Sequence, residues 1–396
     1  MKFHPCKLTW ITALLGFALM GAISCSEQSA ENDKPKLSSQ SHQSLSSAVA
    51  VSSGEEGEWL SVALPDLSEQ PIRLRVANVI NPRFRQLSNS QVAAILQRTV
   101  ELVKQHFDIE VEFSIVTAIS IDELFTNLTD DVIAHRRGEI VDLSLITADV
   151  RENMQQSLFA TLSLYSGIKQ DVIDFATPYL LKPEVKHEDF ISLSYALTDT
   201  LIARLMYWQD EKAPDGKPVL HPGGYSNDNT SGNASGYHQW VWWDSLGYGD
   251  LPYDVLITNQ LVASAEYYGM DVHSSIRGGL TAGTASYNSN SSLGSYVYIM
   301  VYPMINDTEL LSMLRQDVTY TDEQIINYSA ALLTHELGHM LLHLGHPFGE
   351  TGCIMSPTVM LDYRRWYDAF DPTTCAVGSS RPMTPGAAAI EYNRHW

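Results

Sequence analysis

Two histidines and a glutamate stand close together in a segment that reads HELGHMLLHLGH, from His335 to His346. His335 and His339 are four residues apart, so on a helix they lie on the same face about one turn apart. Imidazoles placed in this way can bind one zinc ion at about 2.0–2.1 Å. Glu336 can reach a zinc-bound water without binding the metal, and its carboxylate can take the water's proton. The segment therefore predicts a zinc site that activates water.

A catalytic zinc site also requires a third protein ligand and an open position. On a straight helix His343 would lie about 12 Å along the axis from His335, too far for both to share an ion with His339. Gly345 can end the helix, because glycine readily adopts the left-handed conformation that reverses the chain. His346 would then turn back toward the metal. We predict His346 as the third ligand, with His343 as the alternative.

The helix that carries this segment has a clear start in the sequence. Thr321 and Gln324 form a capping box, in which each side chain satisfies a backbone amide at the helix start. Asp322 and Glu323 add negative charge at the positive end of the helix dipole. Apolar residues continue through Leu344. The pattern predicts a buried helix that presents the histidines to the protein interior.

The chain before this helix alternates between β-rich and amphipathic helical runs, which indicates an α+β protein. The strand, helix and strand at its start are followed by a mainly helical and then loop-like stretch at about 121–250. Its loop at 213–236 is rich in Asn, Asp and Gly, but spaced calcium ligands are missing. Strands are predicted at 72–80, 109–119, 254–262, 278–286 and 296–302, and helices at 89–107, 145–165 and 191–209.

HELGHMLLHLGH followed by GCIMSP, Gly352 to Pro357, resembles the metzincin clan of zinc peptidases, especially the matrixins and adamalysins. Those families share HExxHxxGxxH and a later methionine turn. The resemblance implies a zincin-like α+β fold with a mixed sheet, a backing helix, an active-site helix and an irregular C-terminal subdomain. It implies three zinc ligands, a general base and a methionine packed beneath the zinc, which are His335, His339 and His346, Glu336, and Met355.

The sequence departs from the family pattern in one respect. The third histidine comes one residue late, and Leu342 occupies the position of the turn glycine. A helix extended by one residue, with the glycine moved to Gly345, would accommodate the difference. The resemblance also makes Tyr296–Met304 the edge strand to which an extended substrate adds. The alternative for that apolar run is an ordinary buried core strand.

The first 24 residues predict a lipoprotein signal peptide. Lys2 and Lys7 precede an apolar run, and the segment ends in Ala-Ile-Ser-Cys, which resembles the lipobox of bacterial lipoproteins. The resemblance implies a lipid on Cys25, and Ser26 implies sorting to the outer membrane. A plain cleaved signal peptide is the alternative, and either would export the protein. Residues 25–56 predict a flexible tether.

The remaining chain, 57–396, is predicted to be one catalytic domain. Residues at about 121–250 exceed the compact core of the family that the chain resembles, which implies an insertion there. Cys353 and Cys375 are the cysteines left after processing, and in an oxidising compartment they predict a disulfide. Three scattered histidines, His221, His238 and His273, are predicted to be structural or surface histidines rather than ligands. For Tyr363, Trp366 and Tyr367, which follow the methionine, core packing is favoured over a role in a substrate pocket.

The formal net charge of −21 excludes a nucleic-acid partner, since phosphate binding requires a basic surface.

The predicted function is a zinc-dependent endopeptidase that acts on protein or peptide substrates and is held at the membrane by its lipid. One alternative is an inactive zincin-fold lipoprotein that binds a partner. Another is a zincin with a carboxylate as third ligand, for which Glu350 is the nearest candidate.

Overall fold

The structure is a computed structural model, and it describes most of the chain from Gln70 to Thr373. The predicted signal peptide, the tether and Cys25 lie outside the described residues, as do Cys375 and most of the 213–236 loop. The described residues are 70–125, 148–210, 251–262, 272–280, 282–286, 295–316, 318–342, 352–358 and 361–373, with 212, 216, 243, 246, 344 and 346.

The described strands form one five-stranded sheet and one separate parallel pair. Their bounds are β1 Ile72–Leu74, β2 Val76–Ile80, β3 Val111–Phe113, β4 Thr117–Ser120, β5 Val255–Thr258, β6 Gly283–Ser286 and β7 Tyr296–Met300. The sheet has the order β4-β2-β5-β7-β6, and β1 pairs with β3. The first four strands of the sheet run parallel, and β6 runs antiparallel to β7.

Each of the two long strands predicted near the start of the chain is divided in the structure. The break in the first strand lies at Arg75, whose backbone N–H donates to the carboxylate of Asp254 at 2.7 Å. Ser114 lies at the break in the second strand, where its hydroxyl accepts from the Val76 amide at 3.1 Å. Side chains therefore take hydrogen bonds that a continuous ladder would have used.

The prediction that Tyr296–Met304 forms the sheet edge is wrong. β7 lies between β5 and β6, all five of its residues are buried, and the chain turns into a short helix at Tyr302. The run is apolar on both faces, as is usual for a strand covered on both sides. In the described sheet the last strand is β6, Gly283–Ser286.

The helices confirm the α+β class. Their bounds are α1 Asn89–Phe107, α2 Ile121–Phe125, α3 Ala148–Ser163, α4 Lys169–Ala176, α5 Phe190–Asp210, α6 Val272–Ile276, α7 Tyr302–Ile305, α8 Glu309–Leu314, α9 Asp322–Leu342 and α10 Tyr363–Asp368. The capping box predicted for α1 is present, with both the Ser88 and the Gln91 bonds made.

Among the described helices, none combines the length and the hydrophobicity that crossing a membrane requires.

Helix α9 lies at the centre of the fold. It packs against α1 on one side and against β6 and β7 on the other. Helices α3 and α5 pair with each other within the predicted insertion, and α5 also packs against α6. The insertion is therefore helical where it is described, and through α6 it meets the part of the protein that follows it in sequence.

Candidate metal centre

Helix α9 begins where the sequence predicts and is buried along most of its length. Thr321 Oγ1 accepts from the Gln324 amide at 3.3 Å, and Gln324 Oε1 accepts from the Thr321 amide at 3.0 Å. From Tyr328 to Met340 every residue is buried, because α1 and the sheet cover the helix from both sides. His335 and His339 are each only 4% exposed. The helix thus holds both imidazoles in the interior, one turn apart.

Three imidazole nitrogens converge on one point. The Nε2 atom of His335 lies 3.0 Å from that of His346 and 3.1 Å from that of His339, and the remaining pair is separated by 3.0 Å. Nitrogens about 2.0–2.1 Å from a tetrahedral zinc ion are spaced by roughly this distance. Among the described residues these three form the group that could hold a metal ion. The structure therefore brings the three predicted ligands together.

The other ring nitrogens show which tautomer is present. His335 Nδ1 lies 2.8 Å from the carbonyl oxygen of Ile354, and His339 Nδ1 makes a short contact with the carbonyl oxygen of Leu344. A carbonyl only accepts, so both Nδ1 atoms carry the proton and donate it. In a neutral ring Nε2 then presents a lone pair, as a metal ligand must.

Burial keeps both rings neutral. It lowers the pKa of His335 well below its usual value and that of His339 to about 4. Lone pairs on Nε2 atoms 3.1 Å apart repel each other unless a cation lies between them. The residues thus fit a divalent metal that prefers nitrogen ligands.

The helix ends earlier than predicted. α9 stops at Leu342, and the Leu344 amide donates back to the Gly338 carbonyl at 3.3 Å while the Leu344 carbonyl accepts from His339. The one-residue helix extension is therefore wrong, because these two bonds reverse the chain at Leu344. His343, Gly345 and Glu350 lie outside the described residues.

Met355 packs against the helix between the two histidines, as the resemblance implies. A β-carbon at Gly338 would lie 3.1 Å from Met355 Cε and 2.9 Å from Phe107 Cζ, and closer still to Met355 Sδ. Only a glycine at this position admits the methionine, which is fully buried. Sequence reasoning did not identify Gly338, although a glycine in the middle of a strongly apolar helix is an unusual residue that signals close packing.

Glu336 points toward the edge of the sheet. Its side chain is 5% exposed, and a β-carbon at Gly283 of β6 would lie 2.5 Å from its Oε1 and 2.9 Å from its Cδ. Burial raises the pKa of the Glu336 carboxyl to about 8, and nearby Arg277 acts in the opposite direction. A bound divalent cation would act in the same direction as Arg277, lowering the pKa of Glu336 and favouring the ionised carboxylate. The carboxyl group is therefore buried against the last strand of the described sheet, and the sequence did not predict this contact with Gly283.

The short helix α6 brings His273 to the centre. The His273 ring is 4% exposed and lies 4.7 Å from the His346 ring between centroids. Arg277, one turn later, is 8% exposed and donates to the Thr358 carbonyl at 3.2 Å. His273 was predicted to be structural, and its five-residue helix has too short a pattern to place it. The other two scattered histidines lie outside the described residues.

The aromatic residues after the methionine pack around the turn that carries Met355. Tyr363 and Trp366 are buried, which confirms core packing for both. Trp366 Nε1 donates to the Ser356 carbonyl at 2.9 Å, and its ring centroid lies 5.9 Å from that of His335. Tyr367 is half-buried, and its hydroxyl accepts from Arg98 at 2.9 Å. These contacts fix the segment that carries Met355.

We expect Cys353 and Cys375 to form a disulfide that ties this turn to the C-terminal residues. Cys353 is fully buried beside Met355, whose amide donates to its sulfur at 3.3 Å, while Cys375 lies outside the described residues. Closing a loop of 22 positions gives about 3 kcal/mol of stability in the chain-entropy model. Mass spectrometry of a non-reducing digest should find the linked peptides. Two free thiols in the exported protein would contradict this.

No protein-family model, no curated protein and no solved structure matches the chain. The site is therefore defined by its geometry: three converging imidazoles, a buried glutamate next to the first of them in sequence, and a methionine packed against their helix.

Proposed function

We propose that the protein is a zinc-dependent endopeptidase with a zincin-like fold. The observation that carries the proposal is the triangle of Nε2 atoms of His335, His339 and His346, with edges of 3.0–3.1 Å. Two of the three rings are held as the neutral tautomer that binds metal, by carbonyl acceptors on Nδ1. Such arrangements of ring, metal and outer hydrogen bond are the usual form of histidine metal sites.

The donor set favours zinc. Three neutral imidazoles and an open fourth position are typical of catalytic zinc, whereas calcium and magnesium require oxygen ligands. When bound, zinc would lower the pKa of a water molecule and polarise a peptide carbonyl. The remaining chemistry belongs to the side chains of this chain.

Glu336 is proposed as the general base. It follows a ligand in sequence, lies outside the converging group, and is buried against Gly283. Burying an ionised carboxylate is costly unless it is paired, and the burial of Glu336 accordingly raises its pKa. A protein that only binds a partner has no chemical reason to keep such a group beside three histidines. The presence of a buried glutamate beside the first histidine in sequence argues against the inactive lipoprotein and favours a site that carries out acid–base catalysis.

Substrate is proposed to bind along β6. This strand is the last in the described sheet, and its Gly283 lies against Glu336. An extended peptide that adds to a sheet edge presents its backbone carbonyls at regular intervals, so one of them can reach the site. Because recognition would involve the backbone, the expected substrates are unfolded or extended segments rather than one particular side chain.

The experiment that tests the function is metal analysis of the purified mature protein, combined with cleavage of a peptide library. We expect about one zinc per chain. Chelation should abolish cleavage, and added zinc should restore it. A protein that is folded but binds no zinc would contradict the proposal, as would cleavage that persists after all metal has been removed.

We also propose that the protein is exported and anchored by a lipid on Cys25. Cys25→Ser should abolish lipid labelling and release the protein in soluble form, because serine cannot form the thioether. Labelling with radioactive palmitate followed by membrane fractionation measures both effects. Undiminished palmitate incorporation in the variant would exclude the lipobox, and export without any lipid in the wild type would favour a plain signal peptide.

A further inference from the structure

The third histidine does not lie on the buried helix that carries the other two. His335 and His339 project from a buried helix, and a carbonyl fixes each ring. His346 lies beyond the end of that helix and is only partly buried. Its ring is surrounded by imidazoles: His335 stacks on it at 5.0 Å and 22°, and His339 and His273 meet it edge-on at 4.8 and 4.7 Å.

Of these three neighbours, His273 is the one that does not belong to the converging group. It comes from α6, well before the motif helix in sequence, and it is buried. Its ring meets that of His346 at an interplanar angle of 73°, which is a favourable edge-to-face geometry. His273 is therefore in ring contact with the third histidine of the converging group without being one of the three.

His273 is also in contact with the helical insertion. The Phe175 ring of α4 lies 5.7 Å from the His273 ring at an angle of 66°, and α6 as a whole packs against α5. Phe175, His273 and His346 thus form a continuous row of rings. We call these three residues the ring row. It leads from the insertion directly to the third ligand.

We propose that His273 is a positioning residue for the third zinc ligand and that the helical insertion, through the ring row, sets the affinity of the site for zinc. The proposal rests on the proposed zinc function. A ligand on a loop must be ordered before it can bind, and any contact that orders it beforehand raises the affinity. Side chains behind metal ligands typically change metal affinity by about 10–100-fold when they are removed.

The test is the zinc dissociation constant of the mature protein, measured by competition with a chromogenic chelator. His273→Ala should raise it by about 10–100-fold, while His273→Phe, which keeps a ring in place, should stay close to wild type. Phe175→Ala should raise it less, because it acts through His273. Phe159→Ala on α3 is the matched control in the insertion, since that side chain is 38% exposed and outside the ring row.

A double variant separates coupling from general damage. If the ring row transmits the effect, Phe175→Ala should weaken zinc binding in the wild type but add little when His273→Ala is already present. The absorption spectrum of the cobalt-substituted protein should shift in His273→Ala and return in His273→Phe. Thermal unfolding of the metal-free variants shows whether the fold itself is intact.

The possible failures can be told apart. If the wild type binds no zinc, the proposed function fails and this inference fails with it. If the wild type binds zinc and His273→Ala binds it equally tightly, only the positioning role is overturned. If His273→Ala does not fold, the Phe175→Ala variant tests the proposal by itself. Weaker zinc binding in Phe175→Ala would support the link between the insertion and the site, and unchanged zinc affinity would overturn it.

Discussion

Glu336→Gln is expected to keep its zinc and lose hydrolysis. The substitution preserves the shape of the side chain but removes its ability to accept a proton. A general base contributes typically about 10²–10⁴-fold, so kcat should fall by about that factor. Glu336 lies outside the converging histidines, so the zinc content should stay near one per chain. Peptide cleavage and metal analysis on the same sample measure both effects.

Glu323→Gln is the matched control for this experiment. Glu323 lies in the first turn of the same helix and is exposed, so the same chemical change there should leave cleavage unaltered. Wild-type cleavage by Glu336→Gln would show that another group takes the proton. Loss of zinc from that variant would instead show that the carboxylate contributes to the metal site.

His346→Ala is expected to lose most of its zinc at micromolar free zinc, whereas His343→Ala should keep about one ion per chain. His346 Nε2 lies 3.0 Å from the Nε2 atom of each of the other two histidines. Two remaining imidazoles leave two positions to water, which weakens zinc binding by orders of magnitude. Equilibrium dialysis against buffered zinc, followed by metal analysis, measures the difference.

The two substitutions control for each other, because each removes one imidazole from the same short stretch after the helix. The opposite pattern would assign the third position to His343. Zinc retained by both variants would favour a ligand outside the motif, such as the carboxylate of Glu350. Metal-free unfolding curves should be similar for both variants, since the expected loss concerns binding and not the fold.

The sequence predicted the elements that depend on local chemistry. Both capping boxes are present, and the helices at 89–107 and 322–342 begin where Ser88 and Thr321 indicate. Hydrogen bonds between a side chain and its own helix start depend on residues three apart, so short-range patterns predict them well. The four-residue spacing of His335 and His339 was readable for the same reason.

Features that depend on distant contacts were not predictable. Tyr296–Met300 has the composition of a strand, but its position inside the sheet depends on pairing with β5 and β6. The helix end at Leu342 depends on Leu344 returning to Gly338 and accepting from His339. The strands that pair with β7 are distant in the chain or fixed by the sheet, whereas the bonds that end the helix join residues only five or six apart. The sequence predicted a longer helix because glycine favours chain reversal, which indicates Gly345, whereas the chain reverses at Leu344.

His273 and Gly283 show the same limit for the site. Each reaches the centre from an element of four or five residues, too short to show which face is buried. Their roles follow from what they touch, the His346 ring and the Glu336 carboxylate. The motif predicted the three histidines that converge and the glutamate that is buried next to them in sequence, while the contacts of His273 and Gly283 required the three-dimensional structure.

The glycine beneath the two helical ligands sets a limit on how stable the helix can be. In a helix interior glycine is less favourable than alanine by roughly 1 kcal/mol, because its backbone loses more freedom on folding. At Gly338 an alanine cannot provide this extra helix stability, since its β-carbon would occupy the space of the Met355 side chain. Selection for thermostability, which enriches alanine in helices, should therefore leave this glycine unchanged. The sequence that would make this helix most stable differs from the sequence that allows Met355 to pack against it.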